Sequence, residues 1–526
     1  MSGNSRIIIA GGGTAGWLTA CYLAKALGAN VANGPSITVI ESPDISIIGV
    51  GEGTFPTLRL TLKTLGIDEA RFLRESSATF KQGIRFDDWT HAPQDGSHTH
   101  YFHAFEFPHH AQGSELLPYW LLGEAGTGTA LADAIGVQKS VADASLAPKR
   151  SHDSNYAGPL NYAYHFDAVR FAAFLATVAK EWGVRHVADT IESVTLDESG
   201  AISGLATRAT GVLEADLYID CTGLRAKLIG ETLKVPFTSC GDSLLTNRAV
   251  ACQIPNSRPD SPIASYTIAR AHEAGWTWDI GLENRRGIGY VYSNDHSSDD
   301  RAERILRGYI GKAGDEHSVR FIKFDAGYRE RQWVRNCVAV GLSAGFFEPL
   351  ESTGIMLIEV AAAMIADFFP WNRDFEAPAR LFNDLMRHRF ENIVKFLKMH
   401  YCLSQRPEDF WRDNRRAETI PEDLQRLLAA WRHRPPGRFD FVADYETFPH
   451  FSYQYVLYGM GFRTNLEPAR HRYQATAAAR QAFTQLKRFA RQATADLPTH
   501  RALIDQVYRS GFNHKPQVPG ASVAGK

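Results

Sequence analysis

The sequence predicts a mixed α/β fold followed by a mainly helical C-terminal part, and three observations carry that prediction. A short apolar run stops at three glycines and resumes as an apolar-faced helix and a second strand. Strand-like runs follow at 184–188, 191–196 and 216–220, and a further apolar one runs into Gly341. Near residue 395 the character changes to charged helical segments. With 526 residues the chain can bury a large core and support more than one lobe.

The elements follow in order. Residues 6–41 read strand, glycine turn, helix (15–27) and strand (36–40). Gly11, Gly13 and Gly16 form a GxGxxG pattern at the strand–helix junction. The first glycine permits the tight turn, the second admits a pyrophosphate to the backbone, and the third lets helix pack on strand. The helix N-terminus offers free N–H groups and a favourable dipole to phosphates. Glu41 ends the second strand, 25 residues after Gly16, where an acid accepts hydrogen bonds from a ribose. The glycine-rich GVGEGTFP (49–56) reads as irregular, and residues 87–160, which mix His, Gly and aromatics without clear periodicity, as a cavity-lining insertion. Asp167 caps a helix over 167–182 with the stripe Phe171, Phe174, Leu175 and Val178. Strands follow at 184–188, 191–196 and 216–220. Residues 338–369 read as a strand into Gly341, a loop with Pro349, and an apolar helix from Gly354. Pro435-Pro436-Gly437 breaks the later helices, and the tail from about 514 is expected to be frayed. The domain expectation is a module over 1–395 and a covering helical module over 396–526.

Composition excludes several functions. A net charge of −1 gives no field to attract nucleic acid or an anionic membrane. The cluster Arg412, Arg415 and Arg416 is interleaved with acids and reads as a solvated helix face. Six scattered cysteines show no metal-ligand spacing, so no metal is expected and the thiols read as free and buried. No apolar stretch approaches the ~20 residues of a membrane span, and no leader pattern is visible; the expected location is cytoplasmic.

One dinucleotide fold followed by several hundred residues favours tightly held FAD over NAD. Residues 213–230 carry an apolar strand into Asp220-Cys221-Thr222-Gly223 and then a helix, which resembles the second glycine-bearing strand of FAD-dependent monooxygenases. The 184–188 strand, with Val187, resembles the one that borders the adenine there. The fold class is therefore a Rossmann-like, monooxygenase-type FAD module with a mainly helical C-terminal module. Leu342 stands where flavin hydroxylases carry Asp, so the ribityl contact must come from backbone or elsewhere. Ser352 and Thr353 are good caps for the following helix, and Gly354 leaves its amide open to a small anion.

FEPLESTGI (347–355) matches the signature of flavin-dependent tryptophan halogenases at Phe347, Pro349, Ser352 and Gly354. GGGTAGW, VGEGTFP, YAYHFDA, HYCLSQR and YGMG resemble the same family, so the likeness spans nearly the whole chain. The resemblance implies a cofactor set of Gly11, Gly13, Thr14, Ala15, Gly16, Glu41, Gly51, Val187, Leu342 and Ile355. It implies catalytic Lys81 and Glu351, a halide seat at Thr353 and Gly354, and a substrate shelf at His103 and Phe105. WTWDIG (276–281) is similar to the family's WxWxIP motif, with Gly281 replacing proline; Trp276 and Trp278 would then stand between flavin and substrate. Tryptophan-using members grip the amino acid with a Tyr-Tyr pair before the Gly-x-Gly turn. The matching positions are Tyr453 and Gln454, so the expectation is an indole-type substrate other than free tryptophan.

The bland readings differ. Phe80, Ile84 and Phe86 alternate as a buried face, which by itself makes Lys81 a surface lysine. Trp276 and Trp278 alone read as aromatic packing, and His103 as a loop histidine. The resemblance implies instead that a separate NAD(P)H-dependent reductase supplies FADH2, that a flavin hydroperoxide oxidises chloride or bromide to hypohalous acid, and that Lys81 receives it beside the aromatic substrate. Glu351 then takes the ring proton. The alternatives are an FAD-dependent aromatic hydroxylase and a non-catalytic flavoprotein sensor; a homodimer is left open.

Overall fold

The computed structural model describes residues 5–29, 31–45, 51–111, 113–441 and 447–512. The tail from 514 and residues 49–50 of the glycine-rich segment lie outside the described residues.

Two sheets organise the molecule. The first runs Arg185–Ala188, Ser36–Glu41, Arg6–Ala10, Leu217–Asp220, Cys337–Ala339, Trp333–Val334. Its strands are parallel except for the last pair. Ile7, Ile9, Val39 and Ile219 are completely buried in it, as a sheet covered on both faces requires. The helices Thr14–Ala26, Ala168–Glu181 and Thr353–Asp367 pack together, the first against each of the others. Asp167 caps the second by accepting from the Arg170 N–H, worth about 1 kcal/mol. Its predicted stripe is buried, each large side chain contributing about 1.5–3 kcal/mol.

The second sheet has seven strands, in the order Arg320–Lys323, Arg248–Pro255, Arg285–Tyr292, Gly275–Gly281, Thr267–His272, Gly83–Asp87, His100–Ala104. Only the Thr267–His272 and Gly83–Asp87 pair is parallel. Gly289 makes room for an indole, since a Cβ there would lie 2.2 Å from Trp278. A small third sheet joins Glu52–Gly53, Ala163–Phe166 and Thr79–Lys81.

Three expectations need correction. The segment after Asp220 is a 3-10 turn and a π-helix (Lys227–Thr232), drawn in because the Asp220 carboxylate accepts from the Leu228 and Ile229 N–H groups. The 395/396 division falls inside one continuous helix, Glu376–Cys402. Residues 396–402 of that helix are all buried, so its end is enclosed by both parts of the chain. The 87–160 insertion contains regular structure, including the His100–Ala104 strand and three short helices. All six cysteines are free thiols, five buried and Cys240 half-buried.

Candidate active site

The glycine turn is built for close approach. Gly11 has φ +109°, and a Cβ there would lie 2.3 Å from the Cys221 carbonyl oxygen. At Gly16 a Cβ would lie 1.9 Å from the Gly11 oxygen, so helix and strand meet only through glycine. Gly13 has nothing within 4 Å of its missing side chain, which leaves an open face at the N-terminus of the Thr14–Ala26 helix. Glu41 lies over Gly12, and its carboxylate is 3.0 Å from His186 Nε2. Val187 pairs with Ile40 on the adjoining strand. Gly341, at φ +73°, brings the third strand end against Ala15, with half-buried Leu342 next to it. Thr14 Oγ1 donates weakly to the Ala168 carbonyl at 3.4 Å. Gly51 abuts Ile280 and Gly287 of the second sheet, and Ile355 is buried in the first turn of the Thr353–Asp367 helix. An open amide turn followed by a helix N-terminus and an acid fits a dinucleotide.

The second cluster gathers where the small sheet meets the edge of the large one. Lys81 ends the Thr79–Lys81 strand and is completely buried, against the pattern-based reading. Its Nζ donates to Ser352 Oγ at 2.8 Å and lies 5.3 Å from the Phe105 ring centre. A side chain at Gly53 would stand 3.1 Å from that nitrogen. Burial pushes the Lys81 ammonium down to about 7, against the opposing pull of the Glu351 charge. Ser352 does not cap the helix through its side chain. It sits at φ 57°, in the left-handed region, with its hydroxyl turned to Lys81.

Glu351 is also buried, and two histidines reach it from different elements. His103 Nδ1 lies 3.0 and 3.1 Å from the two carboxylate oxygens, and His400 Nε2 lies 2.9 Å from Oε1. Burial pushes this carboxyl up, but the charge and bond of His103 and then those of His400 outweigh it and hold it at about 2. His103 belongs to the His100–Ala104 strand and is 2% exposed, so it is no loop residue. A second acid on the same turn, Glu348, accepts from Thr246 and Tyr401 and stands beside Trp276. Adjacent residues of one helix, His400 and Tyr401, thus grip Glu351 and Glu348, which fixes the Pro349–Glu351 turn on both sides. Thr353 is buried, and Gly354 is exposed with open space where its side chain would be.

Aromatic rings surround the cluster. Phe55 lies between Phe105 (6.2 Å) and Phe448 (5.4 Å), and Phe448 stacks on Phe396 at 3.8 Å. Trp276 and Trp278 are buried side by side, 6.4 Å between rings, and Trp276 connects through Trp89 to His400. Gly281 keeps strand pairing with Arg286, and a Cβ there would meet Ile263 at 2.9 Å. Tyr453 packs among Phe396, Trp431 and Phe441, and Gln454 donates to the Pro436 carbonyl. The tyrosine against His103 is Tyr455, at 6.0 Å. In the sequence His400, Tyr455 and Glu348 carry no assigned role, and Ser352 stands as a cap and a signature position without a partner. The one signal for His400 was its place in the HYCLSQR segment. The broad surface groove lined by Trp333, Phe375 and Arg387 contains none of these residues.

A glycine-turn dinucleotide module that also carries a buried lysine and carboxylate among aromatic rings defines a flavoprotein oxidoreductase. The chain belongs to the tryptophan halogenase family, whose description matches residues 6–478, and it is a flavin-dependent halogenase. It is 35% identical to a tryptophan 6-halogenase of Streptomyces toxytricini over 94% of this chain and 96% of that one. A tryptophan halogenase structure from Shewanella frigidimarina superposes with a TM-score of 0.92 at 39% identity, covering 97% and 99% of the two chains. A tryptophan C-6 flavin-dependent halogenase (chlorinase) from taromycin biosynthesis gives 0.90 at 36%, covering 96% and 100%. Among the described residues, no helix is long and apolar enough to cross a membrane.

Proposed function

We propose that this enzyme chlorinates or brominates an electron-rich aromatic of the indole type, with Lys81 holding hypohalous acid and Glu351 taking the ring proton. The observation that carries the reading is the pairing of a buried amine with a buried carboxylate through adjacent residues, Glu351 and Ser352. The amine is pushed toward neutrality and the carboxylate is held ionised, the two states an electrophile carrier and a proton acceptor need.

FAD would be held by Gly11, Gly13, Thr14, Ala15, Gly16, Glu41, Gly51, Val187, Leu342 and Ile355, of which the open amide at Gly13 is the best supported. Reduced FAD, supplied by a separate NAD(P)H-dependent reductase, provides with dioxygen the oxidising equivalent that converts halide to hypohalous acid. Thr353 and Gly354 offer halide the unobstructed start of a helix. Trp276 and Trp278 exclude bulky groups, so only a small oxidant reaches the substrate side. His103 and Phe105 bear on the ring, and Ser352 orients the Lys81 nitrogen. The ring π pair bonds to the halogen as the halogen–oxygen bond breaks and hydroxide leaves. As the ring C–H bond then breaks, its electron pair returns to the ring and the proton passes to Glu351, so that hydroxide and proton together amount to water. We place the covering lobe after Cys402 rather than at 396, because the helix is continuous to that point. A cytoplasmic location belongs to the same reading.

The test supplies reduced FAD, oxygen and indole with and without bromide. Brominated product only with bromide, and reduced FAD consumed without product by Lys81→Met, is the expected result. Hydroxylated product without halide means a hydroxylase, and no product under any condition favours the sensor. Normal bromination by Lys81→Met removes the lysine from the chemistry.

A further inference from the structure

One face of the small three-stranded sheet is polar although it is shut away from water. In the pairing register Gly53 and Thr79 both stand opposite His165, and Lys81 lies two residues beyond Thr79, so the four share that face. Thr79, Lys81 and His165 are completely buried. Thr79 Oγ1 donates to the Gly281 carbonyl at 2.7 Å, and Lys81 donates to Ser352. His165 Nε2 lies 2.8 Å from Oγ1 of Thr267, the first residue of the Thr267–His272 strand. His165 Nδ1 has no partner among the described residues. Polar groups held dry at a cost in stability mark a functional site.

Gly53 shows where this face converges. A Cβ there would stand 2.8 Å from Ser352 Oγ, 3.1 Å from Lys81 Nζ and 3.5 Å from Thr267 Oγ1. Its φ lies outside the left-handed region, so the backbone by itself would accept alanine. The glycine serves the three side chains instead, by keeping a methyl from pressing on them. The Lys81 nitrogen and the Thr267 hydroxyl thus bracket one point, and they reach it from different sheets. A hydroxyl has one donor and two acceptor positions, and His165 engages only one of them, whichever ring nitrogen carries the proton. Thr267 keeps hydrogen-bonding capacity for a further partner.

We propose that Thr267 is a second holder of the oxidant. Lys81 and Thr267 grip the oxygen of hypohalous acid from two sides over Gly53, which leaves the halogen end free to face the aromatic ring. A single contact at Nζ would let the molecule swing, whereas two fix the direction of its oxygen–halogen bond. When the halogen passes to the ring, the oxygen keeps the electron pair of the broken bond and leaves as hydroxide between the same two groups. His165 is a positioning residue that fixes the Thr267 hydroxyl. The inference rests on the chemistry proposed above for Lys81.

Thr267→Val keeps the shape and removes the hydroxyl. The assay contains reduced FAD, oxygen, bromide, indole and a soluble dye that takes up free hypobromous acid. In Thr267→Val, brominated indole per reduced FAD consumed should fall about tenfold, the order of one lost hydrogen bond in a buried site. The missing bromine should appear on the dye, and the mixture of ring positions in the indole product should broaden. Thr267→Ser keeps the hydroxyl and should restore both. Wild-type product per reduced FAD in Thr267→Val overturns the proposal. So does a parallel fall in product and FAD consumption with nothing on the dye, since Thr267 then serves only the fold. Where Thr267→Val does not fold, Gly53→Ala gives the same reading, because its methyl occupies the bracketed point while both side chains remain. Wild-type coupling in Gly53→Ala overturns the proposal. A wild-type enzyme that brominates neither indole nor dye overturns the chemistry proposed for Lys81 as well, whereas the variant outcomes overturn this inference alone.

Discussion

Lys81→Met should make the protein more stable while abolishing its chemistry. Lys81 is completely buried, and its ammonium is pushed from 10.5 to about 7. The folded chain therefore binds this proton less strongly than the unfolded chain does. Stability is lost as pH falls from 10.5 toward 7, and the loss is complete below 7. At ~1.36 kcal/mol per pH unit, the full penalty is ~5 kcal/mol. Methionine has a similar shape and no charge, but it leaves Ser352 Oγ without its donor, which costs ~1–3 kcal/mol. The net gain at pH 7 is then about 2–4 kcal/mol, and it shrinks steadily toward pH 10. Urea unfolding of both proteins, followed by tryptophan fluorescence at pH 7 and pH 9.5 with equal FAD, reads the difference directly. A less stable Lys81→Met at pH 7, or a difference that does not change between the two pH values, refutes the reasoning: Lys81 would then be a charged, well-compensated ion in the fold. A gain in stability on losing activity is the trade-off expected where a site holds a group against its solvation preference.

Two further outcomes follow from the geometry. Gly354→Val places its Cβ in open space at the helix start, so folding should be little affected. The branched side chain covers the amide, and KM for bromide should rise about tenfold, the order of one lost dipole and hydrogen-bond contact; an unchanged bromide KM moves the halide elsewhere. In competition at equal concentration, indole should be halogenated ahead of tryptophan, because Tyr453 and Gln454 are spent inside the C-terminal lobe and offer nothing to a zwitterion whose unpaired burial is costly. A clear preference for tryptophan would mean that other side chains grip its charges.

The dinucleotide turn and the Asp167 cap were legible because each is a local device. A glycine at positive φ, or an acid one residue before a helix, does its work within a few residues. The same holds for the buried stripe of the 168–181 helix, where a 3.6-residue period reports one face directly. Lys81 was not legible from pattern. The strand alternation that put it on the surface ran from Phe80 to Phe86, but the chain changes sheets at Gln82. Thr79–Lys81 pairs with Ala163–Phe166, whereas Gly83–Asp87 pairs with Thr267–His272, so a period of two carried across that change says nothing. Only the family resemblance put weight on Lys81.

By itself, then, the sequence determined the glycine cradle, the strand–helix–strand order of residues 6–41 and the family signature at 347–355. The tertiary structure alone decided the electrostatics of the site. Glu351 is joined to His103 across 248 residues and to His400 across 49, and Lys81 to Ser352 across 271. No local periodicity encodes such pairings. Whether a buried amine is neutral or a buried acid is charged depends on which few groups the fold brings within 3 Å and on the water it excludes.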